Sequence, residues 1–234
     1  MRKIAIVNLK GGSGKTTIAT TLSAWLAGCE QATTLLDLDP QEAAWGWLAR
    51  RPPTYPRISA LSPAHIPQGM TLSFALRIPT GTKWLVIDTP AGLDGTRLVE
   101  VVRGAAAILI PVLPGEMDYR AAAKTISNLL IRAKLTRYSQ RIGLIANRVR
   151  RRTIGARQLE HFTATLDIPL VATFHDTQAY AHAIRMGLGL GELKSSRLAE
   201  ERMAWQSLLI WIASRPLEFT ARTALGAQQS HPSP

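Results

Sequence analysis

The chain has 234 residues, enough for one sizeable core, and its 46% hydrophobic content suits a globular domain. No run approaches the ~18 apolar residues of a membrane-spanning helix, and a single cysteine, Cys29, excludes an internal disulfide or a multi-cysteine metal cluster. The net charge of +12 is uneven: between Arg120 and Glu160 stand eleven Lys/Arg and one acid, Glu160, a density that favours polyanionic partners.

Met1-Arg2-Lys3 runs straight into Ile4 to Val7. That apolar stretch is too short for the core of a secretion signal, so the first residues are expected to belong to the fold and the chain to a bacterial cytoplasm. Apolar runs then alternate with amphipathic stretches, which predicts an α/β class with a central, mostly parallel twisted sheet flanked by helices in three layers. A strand is expected over 4–8, a helix over 15–27, a second strand over 33–36 running into Asp37, and a short helix over 42–49. The stretch 51–69 holds five prolines and predicts loops with at most a short strand. Strands follow over 83–87, ending at Asp88, and over 105–111. A helix is expected over 119–135, where Ile126, Leu129, Leu130 and Ala133 keep helical spacing. A strand over 141–146 ends at Asn147, a helix covers 155–166, a strand 170–174, and helices 178–186 and 197–212 close the fold. Residues 218–234 are polar, carry Pro232 and Pro234, and are expected to be a disordered tail behind one domain spanning 1–217.

The strongest local signal is Lys10-Gly11-Gly12-Ser13-Gly14-Lys15-Thr16-Thr17, set between an apolar strand and a helix. Glycines let the backbone curl so that N–H groups point inward at phosphate oxygens, and the following helix adds its positive end. Lys15 supplies a charge for the β- and γ-phosphates, and the Thr16 hydroxyl suits Mg²⁺. The usual phosphate-loop spacing would need a glycine where Leu9 stands. The run instead resembles the deviant Walker A loop of the ParA/MinD family of P-loop ATPases, a resemblance that runs from Ile4 to Asn147 and more weakly to about Ile212. It implies a three-layer P-loop NTPase fold, with ATP and Mg²⁺ as cofactors and a homodimer in which Lys10 reaches the nucleotide of the partner.

Further motifs fit the same family. Asp37-Leu38-Asp39-Pro40-Gln41 is similar to its Asp-x-Asp-Pro-Gln motif, which implies that Asp39 helps orient the attacking water and that Asp37 lies near the metal. Trp84 to Pro90 has the form of a Walker B strand, with Asp88 holding Mg²⁺ and 89–95 as the segment that senses the γ-phosphate. Ile110-Pro111-Val112-Leu113-Pro114 resembles a structural stretch of the family. Asn147 matches the strand-end Asn that bonds adenine in similar proteins, its amide offering both a donor and an acceptor. Arg148, Val149 and Arg150 follow it rather than a guanine motif, so ATP is expected over GTP.

In this family the ATP dimer binds non-specific double-stranded DNA or a membrane, and an activator of ParB/McdB type stimulates slow hydrolysis and release. Residues 221–234 lack a large apolar face, so no stable membrane association is expected. The basic excess suits DNA phosphates, with Arg150, Arg151, Arg152, Arg157, Arg185, Lys194 and Arg197 as candidate contacts. No helix-turn-helix precedes the phosphate loop. The expectation is a nucleoid-associated ATPase that positions a plasmid, a chromosome origin or a carboxysome, with a MinD-like membrane regulator of division or flagellar placement as the alternative.

Overall fold

The computed structural model describes residues 1–65 and 77–215; the tail at 218–234 and the end of the proline-rich stretch lie outside them. Among the described residues, β1 (Arg2–Ile6), β2 (Thr33–Asp37), β3 (Ser59–Leu61), β4 (Trp84–Asp88), β5 (Ala107–Val112), β6 (Ile142–Val149) and β7 (Leu170–His175) form one sheet in the order β3-β2-β4-β1-β5-β6-β7. Every pairing is parallel. A parallel sheet is covered on both faces, which is why its strands read as unbroken apolar runs.

Alternation along each strand sorts the two faces. Ile4 and Ile6 join one core cluster, built with helices α1 (Lys15–Gly28), α2 (Ala43–Ala49) and the C-terminal helix. Ala5 and Val7 join the opposite cluster, which packs α3 (Gly95–Val102), α4 (Glu116–Ile131) and α5 (Ile154–Ala164). Helix α6 (Gln178–Arg185) lays Tyr180 and Ile184 on the first cluster. Helix α7 (Ala199–Ala213) buries Trp205, Leu208 and Ile212 there.

Trp205 is fully buried and stacks on Phe174 of β7 with ring centroids 4.4 Å apart. Trp205→Ala is expected to remove about 3–5 kcal/mol of stability, read as a lower urea midpoint with an unchanged slope.

Three departures from the sequence expectations have local causes. Helix α3 was not expected: Leu98 and Val102 are its two buried anchors, and Gly92, Gly95 and Gly104 around them weaken the helical signal. Helix α4 starts at Glu116, earlier than expected, with Glu116 and Asp118 in its first turn, where acids complement the helix dipole. Strand β6 runs on past Asn147 to Val149, and its register against β7 shifts between Ala146 and Val149. Asn147 therefore sits at a bulge, beside Arg148 at φ 52, rather than at the strand's last residue.

Candidate functional site

Parallel strands deliver the segments after β1, β2, β4, β6 and β7 to one edge of the sheet, where open α/β folds bind ligands. After β1 the chain is pinned before it curls. Asn8 is buried; its Nδ2 donates to the Pro111 carbonyl at 2.7 Å and its Oδ1 accepts from the Lys10 N–H at 2.9 Å. The Leu9 N–H donates to Thr125 Oγ1 of α4 at 3.2 Å. The loop between is open to left-handed backbone only because glycine occupies it, with φ of 75 at Gly12 and 95 at Gly14. A β-carbon at Gly14 would also stand 2.2 Å from Asn147 Nδ2, which donates to the Ser13 carbonyl at 2.8 Å.

Lys15 opens α1 and is buried, its Nζ donating to the Lys10 carbonyl at 3.1 Å. Burial lowers its pKa, while the charges of Asp88 and Asp39 act the other way. Asp37 is buried and occupied with backbone: Oδ1 accepts from the Asp39 N–H at 3.0 Å and Oδ2 from the Trp45 N–H at 2.9 Å. It thereby holds the turn that carries Asp39, whose own Oδ1 accepts from the Gln41 N–H at 2.9 Å.

Asp88 differs. It is fully buried, neither carboxylate oxygen has a hydrogen-bond partner, and burial pushes its pKa up to about 7, with Asp37 and Asp39 adding to the rise and Thr16 and Lys15 opposing it. An orphaned buried carboxylate beside a hydroxyl is a donor set that fits a hard divalent cation such as Mg²⁺. Among the described residues no three His, Cys, Asp or Glu side chains gather into an all-protein cage, so an ion here would complete its shell from ligand and water.

The raised pKa values of Asp88 and Asp37 have a consequence for the nucleotide-free protein. Both acids hold protons in the folded state that the unfolded chain releases above about pH 4. Stability is therefore expected to fall as pH rises from about 4 to about 7 and to level off above. Asp88→Asn should flatten most of that slope in urea unfolding measured across pH.

Lys10 is turned away from its own cradle. Its Nζ lies 2.5 Å from Asp118 Oδ2 at the start of α4, with the lysine side chain 36% exposed and the aspartate 8%. A cavity of about 500 Å³ is lined by Gly11, Gly12, Gly14, Lys15, Thr16, Thr17, Asp39 and Asn147, without Lys10. Its far wall comes from the end of β7 and from α6, including His175, Asp176, Thr177, Gln178 and Tyr180. The start of the segment after β4 closes on the same loop: Thr89 Oγ1 donates to the Ile6 carbonyl at 2.7 Å and the Gly92 N–H to the Leu9 carbonyl at 2.8 Å.

Sequence reasoning missed that wall and its support. Glu201 of α7 is buried; Oε1 accepts from the His175 N–H at 3.1 Å and from His175 Nδ1 at 2.5 Å, and Oε2 from the Tyr180 hydroxyl at 2.7 Å. His175 Nε2 lies 3.2 Å from Arg151 Nε, which donates to it. Burial and Glu201 hold the Tyr180 pKa well above its ordinary value, so the hydroxyl stays a donor. Nothing in the local sequence around Glu201 or Asp118 signals these roles.

The seven candidate basic residues do not form one patch. Arg150 Nε lies 2.8 Å from Asp176, and Arg151 pairs with Glu200. Arg152 is exposed at φ 57. Arg157 lines a separate groove between α4 and α5, with Tyr119 and Phe162. Arg185, Lys194 and Arg197 line a further groove together. No helix among the described residues is long and apolar enough to cross a membrane.

A glycine cradle at the end of a central parallel strand, with a buried lysine opening the next helix, defines a P-loop nucleotide-binding protein. The family model of the CobQ/CobB/MinD/ParA nucleotide binding domain matches residues 4–190, and the chain belongs to that family. It is 29% identical over 192 residues to maintenance of carboxysome distribution protein A of Halothiobacillus neapolitanus, covering 81% of this chain and 87% of that protein. To the protein of the same name from Gloeobacter kilaueensis it is 35% identical over 130 residues, 56% of this chain and 57% of the other. Its fold is shared with an AMPPNP-bound protein of Borrelia burgdorferi described as a plasmid partition protein, at a TM-score of 0.68 and 15% identity, over 89% of this chain and 98% of that one.

Proposed function

We propose that the chain is a ParA-type ATPase that binds ATP with Mg²⁺, closes into a homodimer around the nucleotides, and in that state binds non-specific DNA. The observation that carries this is the split between two neighbouring lysines. Lys15 lines the cavity of its own chain, whereas Lys10, one turn of loop away, is held outside it by Asp118. A cation beside a phosphate site that it does not itself serve is placed to serve the nucleotide of a second copy. There it would offset the charge that develops on the transferred phosphoryl group.

The other residues take roles that their geometry supports. The N–H groups of 11–16 and the Lys15 ammonium hold the triphosphate, and Asn147, bulged out of β6, stands at the adenine end. Thr16 and Asp88 hold Mg²⁺, which when bound draws charge from the phosphates. Asp39, fixed by Asp37, orients the attacking water. Thr89 and Gly92, tied to Ile6 and Leu9, link that chemistry to the loop leading into α3. Hydrolysis is slow in the isolated protein and is stimulated by an activator of ParB/McdB type. The two carboxysome-distribution relatives favour a carboxysome as the cargo, and the DNA binding proposed here makes the nucleoid of a bacterial cytoplasm its track.

Light scattering behind size exclusion, with a duplex-binding assay on the same samples, tests this. ATP with Mg²⁺ should shift the chain from monomer to dimer and raise its DNA affinity, and ADP should do neither. DNA affinity that is indifferent to nucleotide, or recruitment to anionic vesicles in its place, would count against the proposal.

A further inference from the structure

The buried stripe of α7 is Glu201, Trp205, Leu208 and Ile212, at the three- and four-residue spacing of a helix face turned to a core. The last three are apolar, as that face requires, whereas the first is an acid with only 5% of its surface exposed. Taking a carboxylate out of water costs free energy that packing alone does not return. What the acid bonds to therefore indicates what it is for.

Its donors come from the wall of the nucleotide cavity. Oε1 accepts from the His175 N–H and lies 2.5 Å from Nδ1 of the same residue, and Oε2 accepts from the Tyr180 hydroxyl. Glu201 itself does not line that cavity, whereas His175 and Tyr180 do. The Tyr180 hydroxyl also accepts from Trp205 Nε1 at 3.1 Å, so both its hydrogen and a lone pair are engaged by the buried face of α7. With its hydroxyl held there, Tyr180 joins Ala181 and Ile184 as an apolar part of the far wall. Phosphates need N–H groups and positive charge, which the glycine loop and Lys15 supply; an apolar wall suits the face of a nucleotide base.

We infer that Glu201 is a positioning residue for the base of the bound nucleotide: it stays out of the cavity and sets the His175–Tyr180 wall against which the base lies. The inference rests on the ATP site proposed above and divides its affinity in two. The loop and Lys15 grip the triphosphate, and the wall that Glu201 fixes grips the base.

Glu201→Gln keeps the shape of the side chain but exchanges one acceptor oxygen for an NH₂ group. Whichever way the amide turns, a donor of His175 or Tyr180 then faces another donor. A buried donor left unmatched is costly, so the wall is expected to shift.

Isothermal titration of the full-length protein with Mg-ATP and, separately, with magnesium tripolyphosphate is the test. The wild-type protein should bind ATP more tightly than the bare phosphate chain. In Glu201→Gln the ATP affinity should fall about tenfold, the scale of one buried hydrogen bond left unmade, with tripolyphosphate affinity kept within about twofold. Equal loss of both, or loss of neither, would overturn the inference, because a residue that only holds the fold cannot tell a nucleotide from its phosphates. So would a wild-type protein that binds the two ligands equally, since the wall would then hold no base. Should Glu201→Gln fail to fold, Tyr180→Phe removes the hydroxyl, keeps the ring and is read by the same ratio. A wild-type protein that binds neither ligand would instead refute the ATP site itself.

Discussion

Lys15→Ala is expected to weaken ATP binding by about 30- to 4,000-fold, since truncating one partner of a buried charge pair typically forfeits about 2–5 kcal/mol and each ~1.4 kcal/mol is tenfold. The ammonium is buried, lies near Asp88 and Asp39, and is anchored on the Lys10 carbonyl at 3.1 Å, so neither water nor another side chain can replace it. The fold itself should survive. A lysine whose pKa is lowered by burial is held there against its preference for water, and alanine relieves that penalty. Isothermal titration with ATP and a thermal melt without it separate the two effects. Affinity within about threefold of wild type would remove Lys15 from the phosphate site.

The second large effect concerns Lys10, where two substitutions should act in opposite directions. Lys10→Ala is expected to leave ATP binding to the monomer within about threefold, yet to lower hydrolysis by ~100-fold, the scale seen when one preorganised charge is removed from a transition state. Asp118→Asn instead frees Lys10 from the contact that holds it beside α4. A partly exposed ion pair is worth about 0.2–1 kcal/mol, and two are broken per dimer, so ATP-dependent dimerisation should tighten by roughly two- to thirtyfold. Analytical ultracentrifugation at several protein concentrations reads that change. Normal dimerisation and turnover in Lys10→Ala would disprove action across the interface. An unaltered dimer constant in Asp118→Asn would show that the monomer contact does not compete with it.

The legible parts of the site were those written within a few consecutive residues. The run 10–17 could be read because a phosphate cradle needs its glycines, lysine and hydroxyl at fixed spacing on one strand–turn–helix. Asp37 and Asp88 were found because each terminates an apolar strand, yet their different states were not visible. Asp37 has both oxygens bonded to backbone N–H groups, while the buried Asp88 oxygens meet no backbone donor and have only Thr16 and Lys15 nearby to favour the charged form. Asn147 was located as a residue but placed at a strand end, because a bulge depends on the register of the neighbouring strand. Helix α3 escaped notice because glycines flank its two anchors, and its stability comes from packing rather than propensity.

By itself, the amino-acid order determined the alternating strands and helices, the phosphate loop and the excess of positive charge, since periodicity, turn chemistry and composition act over short separations. Only the tertiary structure decided which charges are satisfied. Asp118 meets Lys10 across 108 positions and Arg51 meets Glu192 across 141. Electrostatic compensation depends on distance in space and on burial, and neither is encoded in the order of neighbouring residues.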